Sequence, residues 1–439
     1  MLLACVAGFV GCSANPTPAP SAAQAAIHTP APAPAPRPAY DPAHPVMLGI
    51  DVLQAEGFAP LQGKNVGLLT HAAGVNMRGV STIDILRHAP GVHLVALFGP
   101  ENGLDGRFPS GINYQDRIDA RTGLPLHSLY NGFSKRPTKA QLKGIDAVVI
   151  DLQDIGSRSY TFISAMKACM EGCFLNDVEV IVLDRPNPLS GLKVDGPPLD
   201  PQWMSYVGSF RVPYVHGLTI GELARMAREA PGILTIPDAK REAGRLIVVP
   251  MRGWRRSMRW PETRLAWVPT SPFIPDFSAV EGYPMTGIGS ERGGFKNGIG
   301  SAYPFRGISY HGVKIDTLER DLRALNLPGI GFRRVSVPDP KTGKPELGLY
   351  IEITDWDEWQ PTELSAYLLR LACRYSAHNP FAGLTAAEQR SFLTYWGTSA
   401  LLTDLAEHGA KADIEGHLRE WRARNAVYQQ QSERYWLYR

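Results

Sequence analysis

Residues 147–162, AVVIDLQDIGSRSYTF, restrict what this chain can fold into more than any other stretch. Ala147, Val148, Val149 and Ile150 form an apolar, β-branched run without alternation, the pattern of a strand covered on both faces within a parallel sheet. Asp151, Gln153, Asp154 and Arg158 are too polar to extend such a strand, Gly156 permits a turn, and a helical pattern follows over about 160–173. The polar cluster therefore falls at a strand's carboxyl end, where open α/β sheets bind ligands. The same grammar recurs three times. Val66-Gly67-Leu68-Leu69 runs into Thr70 and His71, residues 92–98 run into Gly99-Pro100-Glu101-Asn102-Gly103, and residues 178–183 run into Asp184-Arg185-Pro186-Asn187-Pro188. With a helix predicted over 81–88, these units specify an α/β fold with a parallel sheet whose working edge lies at the strand ends.

At 439 residues the chain exceeds what one core usually serves, so two domains are expected, over 47–250 and 251–439. Lys and Arg total 45 against 42 Asp and Glu, a balance that gives no electrostatic basis for nucleic-acid binding. Residues 1–12, an apolar segment ending at Cys12, resemble a bacterial lipoprotein signal with Cys12 as the lipidated residue. Residues 13–46 repeat Pro-Ala and read as an extended tether. Together they predict a periplasmic protein anchored to a membrane through its N-terminal lipid. Cys169, Cys173 and Cys373 show no CxxC pair and no His spacing for zinc, and read as small core residues.

Within the first domain, Thr219 and Glu222 have the spacing of a capping box, which is the structural reading of Glu222. A further strand is predicted at 246–251. The Gly-rich segment 282–306 shows little periodicity and reads as a long functional loop. Beyond it, strands are predicted at 313–315, 332–337 and 349–353, and helices at about 361–376 and 413–435.

The chain lacks a phosphate-binding glycine motif, a GxSxG nucleophile elbow and metal-ligand spacings, so neither a cofactor nor a metal is expected. What the sheet edge offers is Glu101, Asp151, Asp154, Arg158, Asp184 and His216. Carboxylates in unlike environments are the equipment of glycoside hydrolysis. Glu101, after a strongly apolar strand and between Pro100 and Gly103, is the expected general acid. Structural readings exist as well: a turn cap for Glu101, an Asp154–Arg158 ion pair, and a turn brace for Asp184-Arg185.

Several strings in one order resemble the exo-β-N-acetylmuramidase (NamZ-like) glycoside hydrolases, a family once known only as a domain of unknown function. They are Gly99-Pro100-Glu101, Thr122-Gly123-Leu124-Pro125 with Ser128-Leu129-Tyr130, the 151–161 segment, Asp184-Arg185-Pro186-Asn187-Pro188, the 216–223 segment, Pro269-Thr270-Ser271-Pro272 and Tyr435-Trp436-Leu437-Tyr438. The resemblance implies a Rossmann-like N-terminal domain, a smaller α+β C-terminal domain and an active cleft between them. It also implies release of N-acetylmuramic acid from non-reducing ends of peptidoglycan fragments. Glu101 falls on the Glu of the family's GPEHG motif, Asp154 and Arg158 on its QD-G-R motif, and Glu291 on the first Glu of its EGTN-SEGRG stretch. Glu101, Asp154 and Glu291 are thus the catalytic candidates, and Arg158, Tyr160, Asp184, Asn187, His216 and Ser271 the substrate-binding ones. Arg158 is expected to grip the lactyl carboxylate that distinguishes muramic acid from glucosamine, because a guanidinium fork matches a carboxylate. The chain departs from the family at Asn102, Asp105, Phe273, Asn297 and Ile299. Those departures leave two alternatives, a shifted sugar specificity or a lipid-anchored wall-binding protein without turnover.

Overall fold

The computed structural model describes residues 46–300, 302–338 and 342–439; the expected signal, Cys12 and all but the last residue of the tether lie outside the described residues. The apolar runs become strands β1 (Asn65–Thr70), β2 (His93–Gly99), β5 (Ala147–Asp151), β6 (Glu179–Leu183) and β7 (Leu246–Val249), joined by short β3 (Arg117–Ile118) and β4 (Pro125–Ser128). They lie in the order β3-β4-β2-β1-β5-β6-β7, parallel throughout except for β3 against β4.

The unbroken apolar character of β5 follows from its two neighbours in depth. Val148 and Ile150 point into a core shared with the helix Phe162–Leu175, whereas Ala147 and Val149 point into a second core shared with the helices Gly49–Ala55 and Thr82–Arg87. Successive side chains alternate faces, so burial on both faces demands apolar residues at every position. Local signals hold the helices in place. Ser81 accepts a hydrogen bond from the Ile83 amide, and Thr219 with Glu222 forms the predicted capping box of the helix Ile220–Glu229. Gly156 turns the chain after β5 with φ +80°, and a Cβ there would stand 2.5 Å from Asn187 Oδ1.

The second half carries an antiparallel sheet of β8 (Phe295–Lys296), β9 (Gly307–Tyr310), β10 (Ile330–Pro338) and β11 (Pro345–Ile353), ordered β10-β11-β9-β8. Two expectations are corrected here. The strand predicted at 313–315 is absent: Ile315 opens the helix Ile315–Arg323, whose buried Leu318 and Leu322 lie one turn apart. The Gly-rich segment is not a loop at its start but the end of a helix, Phe277–Ser290, capped by the Asp276 carboxylate on the Ala279 amide. Its glycines serve close packing instead of turning. A Cβ on Gly282 would lie 2.6 Å from the Phe305 carbonyl carbon, and one on Gly289 would lie 2.7 Å from Ser365 Cα in the helix Glu363–Tyr375. Cys169 and Cys173 are buried core residues and Cys373 is half-buried; all three are free. Among the described residues, no helix is long and apolar enough to cross a membrane.

Candidate active site

The carboxyl edge of the parallel sheet opens on a cavity of about 450 Å³, within the range of roughly 300–1,000 Å³ usual for small-ligand sites. Glu101, two residues past β2, lines it, as do Ser159, Tyr160 and Thr161 at the end of the loop that leaves β5. The helix Phe277–Ser290 contributes Tyr283 and Gly287, and Glu291 follows at its end. Their spacing of four puts all three on one helical face. Tyr130, Tyr206, Tyr214, Tyr395, Ser271, Phe273, Phe305 and Asn297 complete the walls.

The two cavity carboxylates sit in unlike surroundings. Glu101 is 5% exposed. Its Oε1 accepts hydrogen bonds from Ser110 Oγ at 2.8 Å and the Gly111 amide at 2.7 Å, and its Oε2 from Thr161 Oγ1 at 2.6 Å. An ionised carboxylate only accepts, so this convergent donor set suits the charged form. Glu291 has no hydrogen-bond donor or ion-pair partner among the described residues. Although its side chain opens on the cavity, desolvation by the surrounding walls holds its carboxyl above the usual carboxylate range. Tyr395 feels both: burial first, then the charges of Glu291 and Glu101, push its phenol up to about 12. Ser159 Oγ joins the Tyr214 hydroxyl at 2.7 Å and the Tyr283 hydroxyl at 3.1 Å, forming a hydroxyl cluster beside these acids.

Of the other expected site residues, Tyr160 and Ser271 line the cavity, with the Tyr160 hydroxyl donating to Thr270 Oγ1 at 2.7 Å. The rest do not. Arg158 is fully buried and its guanidinium donates to the carbonyls of Pro197 (2.7 Å), Val212 (2.9 Å) and Tyr395 (2.9 Å). Those carbonyls consume the fork expected to grip substrate, and burial lowers the Arg158 pKa to about 10. Neither does it pair with Asp154, whose Oδ2 accepts from the Gly156 amide at 2.7 Å and lies 3.3 Å from His216 Nε2. Asp154 and His216 are buried behind the cavity wall, where they shape the turn after β5.

Asp184 is a brace, as its structural reading had it. Its carboxylate accepts from Thr219 Oγ1, the Gly221 amide, the Arg185 amide and the Tyr438 hydroxyl, so it ties β6 to the next helix and to the chain's end. Burial pushes it up to about 7 against those donors. Asn187 bridges the Leu218 carbonyl and the Leu189 amide, again away from the cavity. Among the departures, Asn102, Phe273 and Asn297 line the cavity and Ile299 is core. Asn102 holds φ +69°, a conformation Asn tolerates, and its amide donates to the Phe108 carbonyl to close the loop behind Glu101.

Sequence reasoning missed Thr161, Ser159 and every cavity tyrosine except Tyr160. Tyr130 and Thr161 stand inside the quoted strings, but only the folded chain brings them to Glu101. Tyr283 was hidden by a helix whose glycines and Pro284 disguise its period.

Residues 66–278 match the N-terminal domain of the exo-β-N-acetylmuramidase NamZ family, and residues 281–438 match its C-terminal domain. Glu101 and Glu291 thus come from different domains and meet in one cavity. The chain is 38% identical over 329 residues to the peptidoglycan β-N-acetylmuramidase NamZ of Bacillus subtilis, covering 74% of this chain and 77% of that protein. Two crystal structures of DUF1343 family proteins from Bacteroides fragilis are similar, at 35% identity with TM-score 0.79 and at 25% identity with TM-score 0.67. Each match covers 90% of this chain and 99% of the other. The chain belongs to the NamZ exo-β-N-acetylmuramidase family.

Proposed function

We propose that the protein is an exo-acting glycoside hydrolase that releases N-acetylmuramic acid from peptidoglycan fragments, with Glu291 as the general acid and Glu101 as the ionised carboxylate. The observation that carries this is the pair of cavity carboxylates in unlike environments, Glu101 held by three hydrogen-bond donors and Glu291 by none among the described residues. Such a division assigns the acid and the anion of a glycosidase without either having to change its surroundings. This moves the acid role from Glu101, where it was expected, to Glu291. Desolvation raises the Glu291 carboxyl, so it holds its proton to higher pH than a free carboxyl, and a sugar filling the cavity strips away further water and favours the protonated form that can give its proton to the departing glycosidic oxygen. Glu101, fixed by Ser110, Gly111 and Thr161, offers negative charge to the oxocarbenium-like centre that develops as the bond breaks. The tyrosine walls supply flat apolar faces for the sugar ring and hydroxyls for its polar rim.

These paired acids favour turnover over a wall-binding role. The anchor remains a proposal carried by residues 1–46: labelled fatty acid is expected to enter the full chain and to be absent from Cys12→Ala. Activity is tested by incubating the full chain with a β-linked N-acetylmuramyl-glucosamine disaccharide and measuring free N-acetylmuramic acid by mass spectrometry. Wild type is expected to release it and Glu101→Gln/Glu291→Gln to bind without release. A wild type that binds and does not release establishes the binding reading.

A further inference from the structure

Muramic acid carries an anionic lactyl group, yet among the described residues no Lys, Arg or His lines a cavity that already holds two carboxylates. Arg158 is consumed by backbone carbonyls, and Arg292, next to Glu291, donates to the Pro380 carbonyl and to Glu388. A cation that does stand against the cavity walls is Lys135. Its ammonium lies 2.9 Å from the ring centroid of Tyr130 and 5.0 Å from that of Tyr206, both cavity walls. It has no ion pair among the described residues.

The backbone on either side of Lys135 is fixed. Asn131 Oδ1 accepts from the amides of Phe133 and Ser134, Ser134 Oγ donates to the Arg136 carbonyl, and Arg136 pairs with Glu171 through Nε at 2.6 Å. A fixed backbone beneath a flexible four-carbon stem gives a point charge that rests on aromatic faces when the site is empty and reaches a carboxylate when one arrives. Burial between the rings lowers the Lys135 ammonium from its usual range and the Glu101 charge offsets only part of that, so the charge is partly desolvated and within electrostatic reach of the reacting centre. Partly desolvated charges attract more strongly than fully hydrated ones.

We propose that Lys135 is the specificity residue that selects a carboxylate-bearing sugar in this cavity, taking the role that the sequence assigned to Arg158. The inference rests on the glycosidase reading above. One charge-assisted hydrogen bond corresponds to a preference of roughly 10–100-fold. The test compares the full-length wild type, Lys135→Met and Lys135→Arg on two 4-nitrophenyl β-N-acetylmuramides, one with the free lactyl acid and one with its primary amide. Wild type is expected to favour the acid, Lys135→Met to lose that preference through KM, and Lys135→Arg to retain part of it. An equal fall on both substrates would make Lys135 an aromatic clamp only, and an undiminished preference would also overturn the assignment. If wild type hydrolyses neither glycoside, the glycosidase reading fails. Calorimetric binding of free N-acetylmuramic acid and its lactyl amide then decides on Lys135: an acid preference lost in Lys135→Met upholds it, while no preference in wild type, or one that survives in Lys135→Met, refutes it.

Discussion

Replacing Glu291 by Gln keeps the volume and polarity of the side chain and removes one transferable proton. General acids typically contribute roughly 10²–10⁴-fold, about 2.7–5.5 kcal/mol of barrier at 1.36 kcal/mol per decade. That loss should depend on the aglycone. A sugar leaving group departs as a poor alkoxide unless protonated, whereas 4-nitrophenolate leaves unaided, so the full loss is expected on the disaccharide and a far smaller one on the nitrophenyl glycoside. The pH profile of kcat/KM carries the same information: wild-type activity falls as pH rises through the elevated Glu291 value, and Glu291→Gln lacks that descending limb. Stability moves the other way. Because desolvation raises this carboxyl above its ordinary 4.5, the native state retains a proton that the unfolded chain releases, and stability declines as pH climbs through that window. The uncharged Gln avoids the loss, so at neutral pH the variant should melt no lower than wild type. Stopped assays on both substrates, a pH series and thermal melts suffice. Equal losses on both aglycones, or a retained alkaline limb, would show that the proton comes from another group.

Arg158→Lys cannot reach all three carbonyls that the fork satisfies, and leaving two buried acceptors unpaired costs on the order of 3 kcal/mol; chemical denaturation should show that loss while KM of the folded fraction is unchanged. Tyr438→Phe removes the hydroxyl that donates to Asp184 at 2.6 Å and accepts from the Met251 amide at 2.8 Å. A loss of about 1–3 kcal/mol in unfolding free energy is expected, with activity per folded molecule retained. Gly289→Ala drives a methyl to within 2.7 Å of Ser365 Cα. Overpacking of about 1–3 kcal/mol, together with a displaced Glu291, should lower both the melting temperature and kcat.

The legible parts of this protein are those whose causes are local. Residues 147–150 announce a strand buried on both faces because each meets one of two cores, and Thr219 announces a helix start because its partner Glu222 is three residues away. Glu101 was legible as a site residue because the end of a parallel strand is a place of exposure in any such sheet. Its hydrogen-bond partners were not, because Ser110, Gly111 and Thr161 converge on it only after folding. Arg158 stands four residues after Asp154, in the same polar cluster and with no sequence mark to separate them. What separates them is the location of the carbonyls at 197, 212 and 395, none of them local to 158. A guanidinium goes where unpaired acceptors would otherwise be buried, and the acceptors are set by the tertiary path of other segments. The helix that delivers Glu291 shows the converse: Gly282 and Gly289 are read locally as flexibility, yet each marks a point where a neighbouring backbone comes too close for a Cβ. Polar residues at a strand end therefore locate a site reliably, while the division of those residues between chemistry and architecture is decided by contacts from about ten to more than two hundred positions away.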